Sequence, residues 1–282
     1  MKVYRSKSSL ALELERFRKD HSSIGFVPTM GALHQGHLSL VKKAKQENAV
    51  VVVSIYVNPT QFDNPDDLEK YPRTLQQDIE LLEMAGPGLL VYAPDSNELY
   101  GEEVVARDYD FNGLDKVMEG RHRKGHFDGV GTIVSLLFEA VRPHRAYFGE
   151  KDYQQLLIIK KLVEIEGFEI DIVGCPIVRE SNGLAMSSRN KRLSARQFDK
   201  ASIIYKALNR ARLTFDDASI DQLIAQAEKD FKAEALIDLE YFTICLADNL
   251  QEVSRKQPGN KYRVFVAAYA GTVRLIDNMA LN

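Results

Sequence analysis

The chain has 282 residues, 45% hydrophobic and 27% charged, with Lys+Arg 37 against Asp+Glu 40 and a formal net charge of −3. That composition supplies the apolar material for a folded core and excludes a disordered chain, and the slight acidic excess argues against a nucleic-acid partner, which needs a basic face. The length predicts two domains.

Cys175 and Cys245 stand far apart without CxxC or Cys/His neighbours, which predicts a reduced, cytoplasmic protein with no disulfide or zinc framework. The first residues carry no signal-peptide apolar run. The longest apolar run, residues 49–57, is broken by Ser54 and too short for a bilayer, so no membrane partner is expected.

In chain order, apolar spacing predicts a helix over residues 10–18 and a buried strand over 24–27, whose ladder Pro28 is expected to end. The stretch from Pro28 to His37 then reads as a glycine turn leading into a helix over 36–44. Gly31 and Gly36 admit close backbone approach, and the unpaired N–H groups of a helix start attract an anion. His34 and His37 are three apart. On a helical turn they share one face, where two N–H donors converge on a polyphosphate. A single histidine beside a strand is more often a capping or core residue, but this pairing in a glycine-bracketed turn favours a ligand.

Residues 50–57 are β-branched and apolar on both faces, as in a central parallel strand. A helix over 75–84, a strand over 89–92, a helix over 130–140, a strand over 146–148 and a helix over 153–165 continue the alternation. This predicts an α/β, doubly wound parallel sheet, whose ligands sit beyond the carboxyl ends of the strands. Polar candidates follow three strand ends: His34 and His37, then Asn58 and Gln61, then Lys151 and Asp152.

Near residues 172–176 the pattern changes. A polar loop, helical stretches over 194–213 and 220–233, and β-rich segments over 239–246 and 262–276 predict a smaller C-terminal α+β domain with antiparallel strands. The Gly174-Cys-Pro segment is the expected boundary, giving domains 1–174 and 175–282.

Three further stretches carry chemistry. In Val57-Asn-Pro-Thr-Gln61-Phe, the Gln61 amide offers one acceptor and two donors to a hydroxyl or carboxylate, or is simply solvated in a turn. In Phe148-Gly149-Glu150-Lys151-Asp152-Tyr-Gln-Gln155, Lys151 is a mobile charge for phosphate and Asp152 a helix-start carboxylate. Gln155 lies one turn beyond Lys151. In Met186-Ser187-Ser188-Arg189, two hydroxyls and a guanidinium on a flexible loop suit a polyphosphate, or else the loop is solvated and Ser194 caps the next helix.

Taken together and in this order, these motifs resemble the pantothenate synthetase (pantoate–β-alanine ligase) family of the HxGH nucleotidylyltransferase superfamily. Pro28-Thr-Met-Gly-Ala-Leu-His-x-Gly-His37 is similar to its HxGH signature, and VNPTQF, FGEKDxQQ and Gly271-Thr-x-Arg-Leu-Ile-Asp-Asn278 to further family motifs. Met-Ser-Ser-Arg189 resembles the family's counterpart of the KMSKS loop.

The resemblance implies a Rossmann-like ATP- and pantoate-binding domain, a C-terminal lid domain, and a homodimer. The implied reaction joins (R)-pantoate to β-alanine through pantoyl-adenylate, releasing pyrophosphate and AMP. Implied ATP contacts are Met30, Gly31, Ala32, Leu33, His34, Gln35, Gly36, His37, Gly149, Glu150, Lys151, Asp152, Val178, Met186, Ser187, Ser188 and Arg189, with His34, His37 and Lys151 catalytic. Gln61 and Gln155 are the implied pantoate and β-alanine contacts, and Asp78 an implied Mg2+ ligand beside the Mg2+ carried on the nucleotide phosphates.

Three departures are visible. Lys124 replaces a family proline, Gln77 stands where an acid often precedes Asp78, and Asn182 occupies the usual acidic position of Arg-x-x-Asp-Gly. The loop over 120–130 receives no catalytic role. A different nucleotidylyltransferase would keep HxGH and the Ser-Ser-Arg loop without needing Gln61 and Gln155. A nucleotide-binding regulatory module would need only the histidines and would release no pyrophosphate.

Overall fold

The computed structural model describes residues 1–282. Six parallel strands form one sheet: β1 (Val3–Tyr4), β2 (Ile24–Thr29), β3 (Val50–Ile55), β4 (Leu89–Tyr92), β5 (Arg145–Gly149) and β6 (Asp171–Cys175), in the order β1-β4-β3-β2-β5-β6. β3 reads Val-Val-Val-Val-Ser-Ile and every residue is buried, because helices cover both faces of the sheet.

On one face, α2 (Gln35–Glu47) and α4 (Leu75–Glu83) set Leu40, Val41, Ala44 and Leu82 against Val27, Val51, Val53 and Val91. Phe26 alternates with Val27 and points to the other face, where its ring meets Phe138 of α7 (His126–Val141) edge-on at 6.1 Å. There α1 (Lys7–Lys19) packs on α7. Short helices α3 (Pro65–Glu69), α5 (Ser96–Tyr100) and α6 (Met118–His122) fill connections, and α8 (Tyr153–Glu166) joins β5 to β6.

The chain builds β2, β3 and β4 outward on one side, then places β5 and β6 on the other side of β2. The order therefore reverses between β2 and β5, the point at which such sheets bind ligands.

Two expectations about this sheet need correction. Pro28 does not end β2, which runs to Thr29 with Pro28 opposite Ser54. Tyr56 N–H donates to Thr29 O at 3.1 Å, so Thr29's backbone faces β3 and Pro28's faces β5. The β2–β5 ladder already stops at Phe26, so the missing N–H breaks nothing. The second correction is at the expected hinge. Gly174 and Cys175 pair with Phe148 and Gly149 as the end of β6, and the chain leaves the sheet only at Pro176.

Contacts divide the chain into two compact units, one of Met1–Glu150 with Gln154–Pro176, the other of Lys151–Tyr153 with Ile177–Asn282. The second unit contains α9 (Ala195–Lys200), α10 (Ser202–Leu213) and α11 (Ile220–Lys232). Its antiparallel sheet is β7 (Asp238–Leu246), β8 (Tyr262–Ala270) and β9 (Val273–Ala280). Leu208, Phe215, Leu223 and Phe231 pack there with Val264, Val266 and Ala268.

The stretch over 194–213 is two helices. Ile204 N–H folds back onto Ala201 O at 3.1 Å, a three-residue closure that tightens the chain between them. The 262–276 segment is a hairpin, turning at Gly271 with φ +63° before β9 runs on to Ala280. No helix is long and apolar enough to cross a membrane.

Candidate active site

The turn after β2 is held from below. Thr29 Oγ1 donates to Ser54 O at 2.7 Å and accepts from Gly31 N–H at 3.2 Å. Gly31 and Ala32 then adopt left-handed backbone, with φ +80° and +50°, which points their following N–H groups down toward α4. Asp78 on α4, only 3% exposed, receives them: Oδ1 accepts from Leu33 N–H at 2.7 Å and Oδ2 from Ala32 N–H at 3.0 Å. Thr74 Oγ1 adds a third hydrogen bond to Oδ2 at 3.2 Å.

Asp78 therefore clamps the turn. Both oxygens are committed to donors. The residue does not fit the Mg2+ ligand role that the resemblance implies.

The two histidines meet differently from the expected helical stack. His34 lies outside the helix as the N-cap of α2, in extended backbone with φ −148° and ψ 177°. Its Nδ1 accepts from Gly36 N–H at 3.1 Å, while His37 Nδ1 accepts from His34 N–H at 3.3 Å. This is a reciprocal cap built from two imidazoles, with ring centroids 4.1 Å apart. A backbone N–H can only donate, so each Nδ1 is bare and each ring carries its hydrogen on Nε2. Two oriented Nε2–H donors beside a helix N-terminus can hold phosphate oxygens.

Gln61 is fixed by Asn58, already a candidate from its place after the strand end, and by residues given no role from sequence. Asn58, 1% exposed, donates through Nδ2 to Gln61 Oε1 at 3.2 Å and to Gly129 O at 3.1 Å. Its Oδ1 accepts from Tyr100 Oη at 2.5 Å and Thr60 Oγ1 at 3.1 Å. Burial pushes the Tyr100 hydroxyl up to about 12, which keeps it a donor.

The Gln61 carbonyl accepts from His126 Nδ1 at 2.8 Å and Arg123 at 3.4 Å. Arg123 also reaches His126 Nε2 at 3.1 Å, and since a guanidinium only donates, His126 carries its hydrogen on Nδ1. Gly129 is required for this packing: a Cβ there would sit 2.4 Å from Thr60 O. With its oxygen held by Asn58, Gln61 keeps the amide NH2 as its donor for a ligand. The 120–130 loop, given no role from sequence, thus positions Gln61.

The paired glutamines on α8 divide. Gln154 is buried and spends its side chain on Glu119 N–H at 3.0 Å and on the carbonyls of Leu114 and Val117, both at 2.8 Å. Gln155 is half-buried one position on. Gly149 ends β5, and Glu150 opens the short turn Glu150–Asp152.

In the second unit, Lys151 Nζ lies 3.8 Å from Asp152 Oδ1. The Lys151 carbonyl accepts from Asn278 Nδ2 at 2.9 Å, and Asn278 Oδ1 accepts in turn from Arg263, whose guanidinium stacks 3.8 Å over the Tyr153 ring. The neighbouring Asp277, 3% exposed, takes two hydrogen bonds from Arg179 at 2.6 and 3.1 Å. Burial pushes the Asp277 carboxyl up, and Arg179 opposes the shift.

The loop carrying Ser187, Ser188 and Arg189 is braced, not loose. Met186 N–H donates to Val178 O at 2.9 Å, Ser187 Oγ accepts from Arg189 N–H at 3.3 Å, and buried Asn190 donates to Ala185 O at 3.0 Å. Asn182 uses both ends of its amide, accepting from Leu184 N–H at 3.1 Å and donating to Phe198 O at 2.9 Å. An ionised aspartate there could not make the second bond. Of these supports, Asp277 and Asn278 close a family-like strand motif and Arg179 opens the Arg-x-x-Asp-Gly pattern, whereas Arg263 had no sequence signal.

Comparison with known proteins finds matches over the whole chain. The family model described as pantoate-beta-alanine ligase matches residues 2–280. A pantothenate synthetase of Christiangramia forsetii is 51% identical over 282 residues, covering all of both chains. The crystal structure of pantothenate synthetase from Thermus thermophilus superposes with a TM-score of 0.92 at 41% identity, covering 100% of this chain and 99% of that one. The pantoate-beta-alanine ligase of Francisella tularensis, solved with beta-gamma ATP and beta-alanine, gives 0.81 at 36% identity, covering 100% and 98%. With the signature turn, the doubly wound sheet and full-length identity in agreement, the chain belongs to the pantoate–β-alanine ligase family, the ligases that form pantothenate.

Proposed function

We propose that catalysis runs in two steps. A carboxylate oxygen of (R)-pantoate attacks the α-phosphorus of ATP, the bond to the bridging oxygen breaks, and pyrophosphate departs. The β-alanine amine then attacks the acyl carbon of pantoyl-adenylate, loses a proton, and AMP leaves. A carboxylate becomes an acyl donor only when its oxygen joins a good leaving group, so neither a Ser nor a Cys nucleophile is needed.

The observation that carries this reading is the locked pair of Nε2–H donors on His34 and His37 at the start of α2. Charge grows on the pyrophosphate oxygens as the bond breaks, and donors fixed there stabilise the transition state more than bound ATP. Gln61 and Gln155 hold pantoate, with Gln61 also beside β-alanine. ATP is cradled by Met30 to His37 and by Gly149 to Asp152, with Lys151 a cation for phosphate. The contacts assigned to Val178 and to Met186 through Arg189 rest on the family resemblance, as do the division into an ATP- and pantoate-binding domain with a C-terminal lid and the homodimer; the cytoplasmic setting rests on the two free cysteines. Mg2+ accompanies the nucleotide on its own phosphates and water, without Asp78.

The test is ATP–pyrophosphate exchange. Pantoate alone should support it and β-alanine alone should not, because the amine has no electrophile until the adenylate exists. A requirement for both substrates together would contradict the two-step scheme.

A further inference from the structure

A cavity of about 430 Å3 lies at the carboxyl ends of β3 and β4 in the N-terminal unit, a size that suits a small organic ligand. Met30, Ile55, Val57, Leu75 and Ala93 give it apolar walls, and Arg5 and Arg73 bring two guanidiniums to it.

The charges in that wall are unequally occupied. Asp78 is taken up by Ala32, Leu33 and Thr74, and Asp95 Oδ1 accepts from Glu98 N–H at 2.9 Å. Arg73 reaches only the carbonyls of Leu68 and Tyr71, at 3.5 and 3.3 Å, and Arg5 makes no ion pair. Two cations without a carboxylate thus face an apolar surface, which favours an anion with an apolar body. A polyphosphate would leave most of its oxygens against hydrocarbon. A single carboxylate on a short alkyl chain satisfies both parts of the wall, since a guanidinium fork matches a carboxylate.

We propose that this cavity is a second ligand site, taking a short-chain monocarboxylate, and that its occupancy stiffens the Asp78 clamp on the histidine turn. Gly31, Thr74 and Asp78 all line the cavity, so a ligand packed there immobilises the residues that hold Ala32 and Leu33. A stiffer turn lowers the ordering cost of binding ATP, and the coupling is reciprocal. The site differs from that of pantoate, which is read through Gln61 and Gln155.

Hexanoate is the probe, with hexanol and hexylammonium as charge controls, followed by 13C-methyl NMR on the full chain in saturating pantoate. Hexanoate should shift the methyls of Met30, Ile55, Leu75 and Ala93 saturably, and bind about tenfold or more tightly than either control. Arg5→Met with Arg73→Met should weaken it by a similar factor; Arg5→Met alone serves if the double variant does not fold. Calorimetry without pantoate should show ATP binding about threefold tighter with hexanoate present, and hexanoate tighter by the same factor with ATP. Equal binding of the three probes, displacement of hexanoate by pantoate, or no saturation overturns the site. Unchanged ATP affinity overturns the coupling.

Discussion

Replacing Asp78 by asparagine separates a clamp from a metal ligand. The amide keeps one oxygen, so only one of the two backbone donors, Leu33 at 2.7 Å or Ala32 at 3.0 Å, retains its acceptor. The other N–H faces an NH2 group, and Thr74 Oγ1 loses its charged partner. Ala32 and Leu33 are both buried, so water does not replace the lost acceptor. One hydrogen bond to a charged group contributes about 1.5–3 kcal/mol, so a loss of about 2–3 kcal/mol in stability is expected.

If that energy is expressed in turn geometry, pantoate-dependent exchange falls by roughly 30- to 100-fold in kcat/KM. Urea unfolding with excess EDTA and again with Mg2+ should give the same destabilisation. The reasoning fails if Asp78→Asn is as stable as the parent in EDTA and excess Mg2+ restores its exchange activity, for that is the behaviour of a metal ligand.

Other expected outcomes follow from the same geometry. Gly129→Ala drives a methyl into the Thr60 carbonyl, so the turn bearing Gln61 must shift; the pantoate KM should rise at least about tenfold with ATP affinity nearly unchanged, measured by exchange kinetics. Arg179→Met strands the 3%-exposed Asp277 carboxylate and should destabilise the C-terminal unit by about 3–5 kcal/mol at neutral pH, with partial recovery in Arg179→Met/Asp277→Asn, read by urea unfolding.

Burial pushes Tyr100, Tyr147 and Cys245 up to about 12 and Cys175 up to about 11, from ordinary values of 10.0 and 9.0. The folded state therefore keeps protons that the unfolded state releases, and stability should hold below about pH 9 and fall as pH rises toward about 12. Urea midpoints across that range check the sign, and the two thiols should resist alkylation at about pH 8 until the chain unfolds.

What the sequence made legible was whatever local pattern determines. β3 is apolar on both faces and could only be a central strand, and the strand-turn-helix at residues 24–47 carries its own punctuation. Pro28 misled because a missing donor matters only on the side where a ladder continues, and that side depends on where β5 stops. The histidine spacing of three suggested a shared helical face, but His34 caps the helix from outside, a difference set by one residue's backbone angles.

The supports were hidden for another reason. Gly129, His126 and Asp78 act through partners that are distant along the chain and meet only after the sheet and α7 have formed. Asp78 shows the cost of reading a carboxylate by type. Its charge is spent on two backbone donors 45 and 46 residues away.

The claim most directly open to measurement is that the Nε2–H of His37 serves pyrophosphate departure. Single-turnover rates of His37→Ala should be compared for adenylate formation from ATP and pantoate and for amide formation from supplied pantoyl-adenylate and β-alanine. The account predicts that the first rate falls about 100-fold or more, the size of one lost oxyanion donor, while the second falls far less because no pyrophosphate leaves there. An equal fall in both rates would contradict it and assign His37 to the acyl centre or to holding the turn.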